Sequence, residues 1–355
     1  MSNVPLTIEA DDQNEVAVLI DGDRFKFWDS ASIKLSMESL TQFTLAGLFE
    51  SDNAIFRNAF RPATYKDITL YVGGELVKQC TMVQPNPTLG PENNSVSVNA
   101  YGKAGIINDC NKNITQYPLE FYNRNIQQLA TIITGGFDLE PPVFTVDPGA
   151  VFDSVSLGVS DNPLKWLSKL AQQRGILISD DTEGRLLFQV ANEGSPIAAL
   201  NQGVPPMFTG TANYSGQELF SSVSGQAPTF VGLDAEQVTR EVDFVGAERP
   251  YVFKMEDSAG ADLQGAVLAK TGLMLGKAIS WGITLQGWRD PNGDIWKPNQ
   301  IIKMTAPGLM VYNASELLIK DVVLTRTPTK DTTVMKLVLP GAYSGKIPEV
   351  LPWED

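Results

Sequence analysis

Apolar and polar residues alternate with a period of two through much of the first hundred positions. Ser95-Val96-Ser97-Val98-Asn99-Ala100-Tyr101 reads as a half-buried strand. Ile68–Val72 and Glu75–Cys80 flank Gly73-Gly74, a two-residue connection that tolerates the positive φ of a primed hairpin turn. This region is expected to form a β-barrel or compact sandwich.

From about residue 111 the period changes. Ile126, Leu129, Ala130 and Ile133 share one helical face; a start near Asn123 or Asn125 and a left-handed stop at Gly135-Gly136 are predicted. A second helix is capped by Asp161 or Asn162, carries Pro163 in its first turn, aligns Leu164, Leu167, Ser168 and Ala171, and ends at Gly175. A hairpin follows, Ile176–Ile178 to Arg185–Val190, across Asp180–Gly184. Residues 196–232 are rich in Gly, Pro, Ser and Asn, as a long connection is. A third helix is predicted from Asp257 or Ser258, with Leu263, Val267, Lys270, Met274 and Ala278 in line. Strands then return over Trp281–Trp288, Ile301–Thr305, Glu316–Arg326 and Thr333–Leu339. The class implied is α+β, mostly β.

A faint internal repeat organises this pattern. Glu75-Leu76 is followed after ten residues by Pro87-Thr88, and Glu316-Leu317 after ten by Pro328-Thr329. Each unit follows one strand and precedes another, so a duplicated β-domain is expected.

Composition narrows the chemistry. With 355 residues, roughly two to four domains are expected. Apolar residues make up 43% and charged residues 19%, a folding composition. Lys and Arg number 27 against 41 Asp and Glu, a net charge of −14, which opposes a role in gripping nucleic acid but not one of letting it slide past. No apolar run of about 18 residues occurs and the first residues lack a signal-peptide pattern, so a soluble chain made in a cytoplasm is expected. Histidine is absent, which removes imidazole catalysis and most zinc sites. Cys80 and Cys110 fit no paired spacing and are expected as buried free thiols.

Individual motifs add little chemistry. Gly272–Lys277 falls one residue short of a phosphate loop and lies in a helical pattern, so it reads as a packing helix. Asp290, Asn292 and Asp294 surround Gly293 but lack the downstream glutamate of a calcium loop; turn chemistry accounts for them. Glu193, Glu218 and Glu241 have no context that marks a carboxylate pair. No catalytic, metal or cofactor residue is assigned.

Several segments, in order, resemble one family: Val18–Phe25 with Trp28, Ile33 and Met37–Phe43; Ala100–Lys103 with Ile107–Cys110; Leu164–Gly175 with Ile176–Val190; Phe220–Gln226; Arg249-Pro250 and the following helix; and GWRDPNGDIWKPNQII, residues 287–302. Lys103 and Asn108 depart from its pattern. The chain resembles the tail protein P family of phage Mu, central baseplate hubs of contractile tails, similar in fold to the tail-hub protein of T-even phages and the hub part of type VI secretion spikes. The resemblance implies two tube-like β-barrels per chain joined by small α/β domains. These are a first barrel at 1–110, an α/β domain at 111–195, a second barrel at 196–250 and 281–342, a helical segment at 251–280 packing with the α/β part, and a tail at 343–355.

It also implies a non-enzymatic homotrimer in the virion baseplate that adapts a sixfold tube to a threefold spike and passes DNA during ejection. Three chains carry a net charge of 3 × −14 = −42, so an acidic channel wall is expected. Implied partners are further copies of the chain, a trimeric spike, the tail tube or a tube adaptor, and other baseplate proteins. DNA is met only in transit, and no membrane insertion is implied. Within the 287–300 corner, Gly287, Trp288, Gly293, Trp296, Pro298 and Asn299 are the residues expected to build it, with Trp288 facing either the core or a neighbouring subunit. Competing readings are a hub of a tailocin or type VI-like machine, a tail-associated wall hydrolase, and a carbohydrate-binding module using exposed tryptophans.

Overall fold

Gly73 and Gly74 adopt φ of +57° and +80° and close a hairpin, as their sequence predicts. The computed structural model describes residues 4–91, 93–227, 236–255, 262–346 and 350–354. The first half contains β1 (Val16–Ile20), β2 (Asp23–Phe25), β3 (Trp28–Ser36) and β4 (Gln42–Leu48). It crosses helix α1 (Ala54–Ala59) and continues as β5 (Asp67–Val72), β6 (Glu75–Thr88) and β7 (Ser95–Gly102). These strands pair antiparallel in the order β3-β4-β7-β6-β5-β1-β2. The period-two pattern holds in β7, where Val96, Val98 and Ala100 are buried.

An α/β unit follows, comprising α2 (Ile106–Asp109), β8 (Leu119–Arg124), α3 (Ile126–Gly135), β9 (Val143–Phe144), β10 (Phe152–Leu157), α4 (Pro163–Gln172), β11 (Leu177–Asp180) and β12 (Leu186–Gln189). Asn125 caps α3 in a reciprocal capping box with Gln128. The stop differs from expectation: Gly136 is right-handed at φ −77°, and the left-handed residue is Asp138 at φ 54°. Asn162 caps α4, and Gly175 at φ +67° follows its end. The buried face of α4 is Pro163, Trp166, Leu167, Leu170 and Ala171, rotated from the predicted line because the Trp166 ring packs on Phe121.

The remainder runs β13 (Ala199–Asn201), β14 (Met207–Tyr214), β15 (Ser222–Gln226), β16 (Gln237–Glu241), β17 (Pro250–Lys254), α5 (Leu263–Ala278), β18 (Ile279–Gln286), β19 (Ile301–Ala306), β20 (Val311–Thr327), β21 (Lys330–Val338) and α6 (Gly341–Ser344). Strands β16-β15-β17 form a separate sheet packed against α5. The predicted start of this helix at Asp257 or Ser258 lies outside the described residues; Asp262 caps α5. Most of the α5 circumference is buried, because the small sheet lies on one side and α6 on another. A Cβ at Gly272 would stand 2.8 Å from the Ala342 carbonyl, so the Gly272–Lys277 segment is a close-packing helix.

The two halves repeat one strand plan. In chain order, β3, β4, β5, β6 and β7 pair as β3-β4-β7-β6-β5, while β14, β18, β19, β20 and β21 pair as β14-β18-β21-β20-β19. Their irregularities coincide. The bulge between Trp28 and Ser30, opposite Gly47 and Ala46, recurs between Met207 and Thr209, opposite Leu285 and Thr284. That between Met82 and Gln84, opposite Ala100 and Asn99, recurs between Ile319 and Asp321, opposite Leu337 and Lys336. Even the left-handed residue before the third strand is shared, Tyr65 at φ 47° and Asn299 at φ 62°. Bulges are specific backbone devices, so their common placement carries the duplication.

The EL and PT dipeptides therefore point to matching strands in the wrong register. Counting back from the shared bulge, Glu316, opposite Lys303, corresponds to Gln79, opposite Thr69, and not to Glu75. The halves join where β20 pairs with β3, Asp321–Arg326 against Ser36–Ala31, making one 13-stranded sheet. Among the described residues, this pairing closes neither half into a barrel. Both halves share one apolar core, and the α/β unit has its own.

Candidate assembly site

The corner at residues 287–300 connects β18 to β19. Gly287 leaves β18 at φ +78°, a left-handed position that favours glycine. Trp288 is fully buried, and its Nε1 donates to the carbonyls of Thr325 (3.2 Å) and Thr332 (3.1 Å), so this ring faces the core. The Asp290 carboxylate accepts from the backbone N–H of Asn292 (2.8 Å) and Asp294 (2.9 Å), and Gly293 completes the turn at φ +89°. That carboxylate is committed to the turn. Trp296 is also fully buried, and among the described residues its Nε1 has no hydrogen-bond partner. Burial of Trp281, Trp288 and Trp296 removes all three as carbohydrate platforms.

The corner's two ends reach different parts of the chain. Arg289 donates to the Gln13 carbonyl, to Glu75 Oε1 (3.1 Å) and to the Gly293 carbonyl (2.7 Å), tying the turn to the first half. Pro298 leads into Asn299, whose Nδ2 donates to Gln189 Oε1 (3.0 Å) and the Val190 carbonyl (3.0 Å), while its Oδ1 accepts from the Asn192 N–H (2.8 Å). Asn299 thus holds the exit of β12. The sequence marks Asn299 as a corner residue and leaves Arg289 out, because the Gln13 and Glu75 partners of Arg289 lie far from it in the chain.

Sequence reasoning missed a second junction. Asp180 at the end of β11 accepts from Lys78 Nζ (2.9 Å), the Thr41 N–H (3.0 Å) and Thr41 Oγ1 (2.8 Å), all buried. This pins the α/β unit to the first half; a Cβ at Gly102 would collide with Asp180 Oδ2 at 1.9 Å. Cys80 lies beside this pair, buried, with its thiol pushed well up by burial. Cys110 is exposed, contrary to expectation, since it follows the short helix α2 at the surface.

From β14 across to β6, one sheet face packs on the core and the other is mainly polar, with Val323 and Val334 set among its polar groups. Ser32, Thr44, Asn99 and Asn86 occupy the polar face in the first half; Thr211, Thr284, Thr332 and Thr325 do so in the second. Charges on it are sparse, chiefly Lys34, Lys336 and Asp321. Among the described residues no three His, Cys, Asp or Glu side chains gather as a metal set.

Residues 104–190 match the family model described as the baseplate hub protein gp44-like second domain. The chain as a whole is similar to baseplate hub protein gp44 of Escherichia phage Mu, at 22% identity over 326 residues, 88% of this chain and 84% of the relative. Its fold is similar to that of the 43 kDa tail protein of prophage MuSo2 from Shewanella oneidensis, with TM-score 0.78 and 20% identity over 93% of this chain and 99% of that one. It also resembles the E. coli c3393 protein, a component of the type VI secretion system, with TM-score 0.62 and 9% identity over 94% of this chain and 80% of that one.

Proposed function

We propose that this chain is the central structural hub of a contractile-tail baseplate, a homotrimer that adapts a sixfold tube to a threefold spike. The observation that supports this most is the duplicated strand plan with its bulges in matching places. Three chains of a doubled unit offer six equivalent positions to a tube and three whole chains to a spike. Residues 1–110 and the second-half strands within 196–250 and 281–342 would then be the two tube-like bodies, each completed as a barrel in the assembly. The partners are the spike, the tube or its adaptor, and other baseplate proteins, in the virion, after synthesis in the host cytoplasm. The role is structural rather than catalytic, and Gly287, Trp288, Gly293, Trp296, Pro298 and Asn299 serve it by fixing the corner.

For the channel wall we propose the polar sheet face. Its hydroxyl and amide side chains lack the clustered cations that hold phosphate, so DNA meets little to stop it. This replaces the acidic wall expected from net charge with one poor in charge of either sign. A second reading, a hub of a type VI-like injection machine, is favoured by the likeness to c3393. Mass spectrometry of purified tail particles separates the two, since only the first reading places the chain there.

Light scattering of the purified chain, alone and with its spike, should give three times the chain mass of 38.6 kDa. Electron microscopy should show a threefold ring with six lobes. A stable monomer under both conditions overturns the adaptor reading.

A further inference from the structure

Among the described residues, β14 and the end of β6 each keep an open edge, and the duplication indicates what covers these two; the argument rests on the trimeric reading above. Within the chain, the C-terminal part of β20 is covered by the leading strand of the other half, β3. Counted from the shared bulges, the matching stretch of β6 is Gln84–Thr88, and the strand that matches β3 is β14. Among the described residues, β6 beyond Gln84 pairs only with β7, and β14 pairs only with β18. Exposed apolar side chains stand at both edges: Leu89 is 89% exposed just past β6, and Phe208 is 60% exposed at the β14 bulge.

We propose that β14 of one copy pairs antiparallel with Gln84–Thr88 of the next, repeating between chains the β20·β3 seam made within each chain. The register follows from Val322 opposite Leu35, Val323 opposite Lys34 and Leu324 opposite Ile33. Pro85 then meets Tyr214 of the partner subunit, Asn86 meets Asn213 of the partner subunit, and Pro87 meets Ala212 of the partner subunit. The contact is heterologous, so it must close into a ring to avoid an open filament, and the doubled unit supplies the rotation for closure at three chains.

The two seams differ in one chemical respect. Proline has no N–H and is tolerated in a paired strand where that group would point away from the ladder. Pro85 and Pro87 pair with Val98 and Val96 of β7, so their missing donors lie on the outer edge. That edge accepts hydrogen bonds from β14 at both carbonyls and returns none at these positions. It is a poor template for an unrelated strand, which protects it before the ring forms.

The test uses the full chain with Cys110→Ser, since Cys110 is exposed. Asn86→Cys and Asn213→Cys are placed together in it, at a non-hydrogen-bonded cross-strand pair whose Cα spacing of about 4.5 Å suits a disulfide. Mild oxidation should convert most chains to covalent dimers and trimers. The single variants should not link, nor should Asn86→Cys with Thr209→Cys, four positions away. Equal linking by the shifted pair overturns the register. A trimer by light scattering that does not link overturns the strand assignment and leaves the hub reading standing; a monomer throughout, with or without the spike, overturns both.

Discussion

The connection between the second and third strands of the duplicated unit is made twice and filled in two ways. In the first half, residues 49–66 carry α1 and bring Phe49, Phe56 and Phe60 against Phe25 and Trp28, with ring centroids 5.1 to 6.4 Å apart. In the second half, residues 287–300 bury Trp288 and Trp296 in the same core. The phenylalanine filling is apolar and local. The tryptophan filling anchors its ring through Trp288 Nε1 and extends outward through Arg289 and Asn299. Duplication has repeated the backbone devices, bulges and a left-handed residue, while the side chains between them have been assigned separate work: packing in one half, joining in the other.

The largest effect should come from emptying the tryptophan corner. Trp296→Ala removes a fully buried ring and should cost about 3–5 kcal/mol in denaturant unfolding. Phe56→Ala, at a half-buried ring of the other filling, should cost clearly less. Equal losses would show that the two fillings bear the core alike.

Asn299 and Tyr65 sharpen it at the next level. Both occupy the left-handed region, but only Asn299 uses its side chain to hold the exit of β12. Asn299→Ala should lose those bonds and add left-handed strain, about 2–3 kcal/mol together. Asn299→Gly removes the strain and keeps the bond loss, so it should fall between Ala and wild type. Tyr65→Gly, at an exposed ring, should change stability little. If Asn299→Gly matched wild type in thermal melts, the junction with β12 would contribute nothing.

The sequence showed its local devices well and its long-range ones poorly. The Gly73-Gly74 turn, the Asn162-Pro163 cap and the Pro291-Asn292-Gly293 turn depend on neighbours in the chain, and each is where its residues predict. The duplication was sensed through two dipeptides that prove to be out of register, because strand equivalence is carried by bulges that leave no compositional mark. Lys78 with Asp180 and Thr41 was invisible, since three polar residues distant in sequence announce no meeting place. The closed barrels that the resemblance implies are not formed by the strand pairing of the described residues, where β14 and the end of β6 each keep an unpaired edge.

The smallest effect is the most discriminating for the two seams. Val322 and Leu324 can donate across the seam within the chain, whereas Pro85 and Pro87 cannot donate across the matching edge. Pro85→Val with Pro87→Val restores both donors in residues suited to strands. Two added backbone hydrogen bonds should lower the dissociation concentration of the trimer by about tenfold per seam, read by light scattering on dilution. The unfolding midpoint of the isolated chain should hardly move, because in the monomer the new N–H groups face water. If dissociation were unchanged, the outer edge of β6 would not be the seam between chains. If chain stability shifted instead, the prolines would be acting within the β6·β7 ladder, and the two seams would differ for another reason.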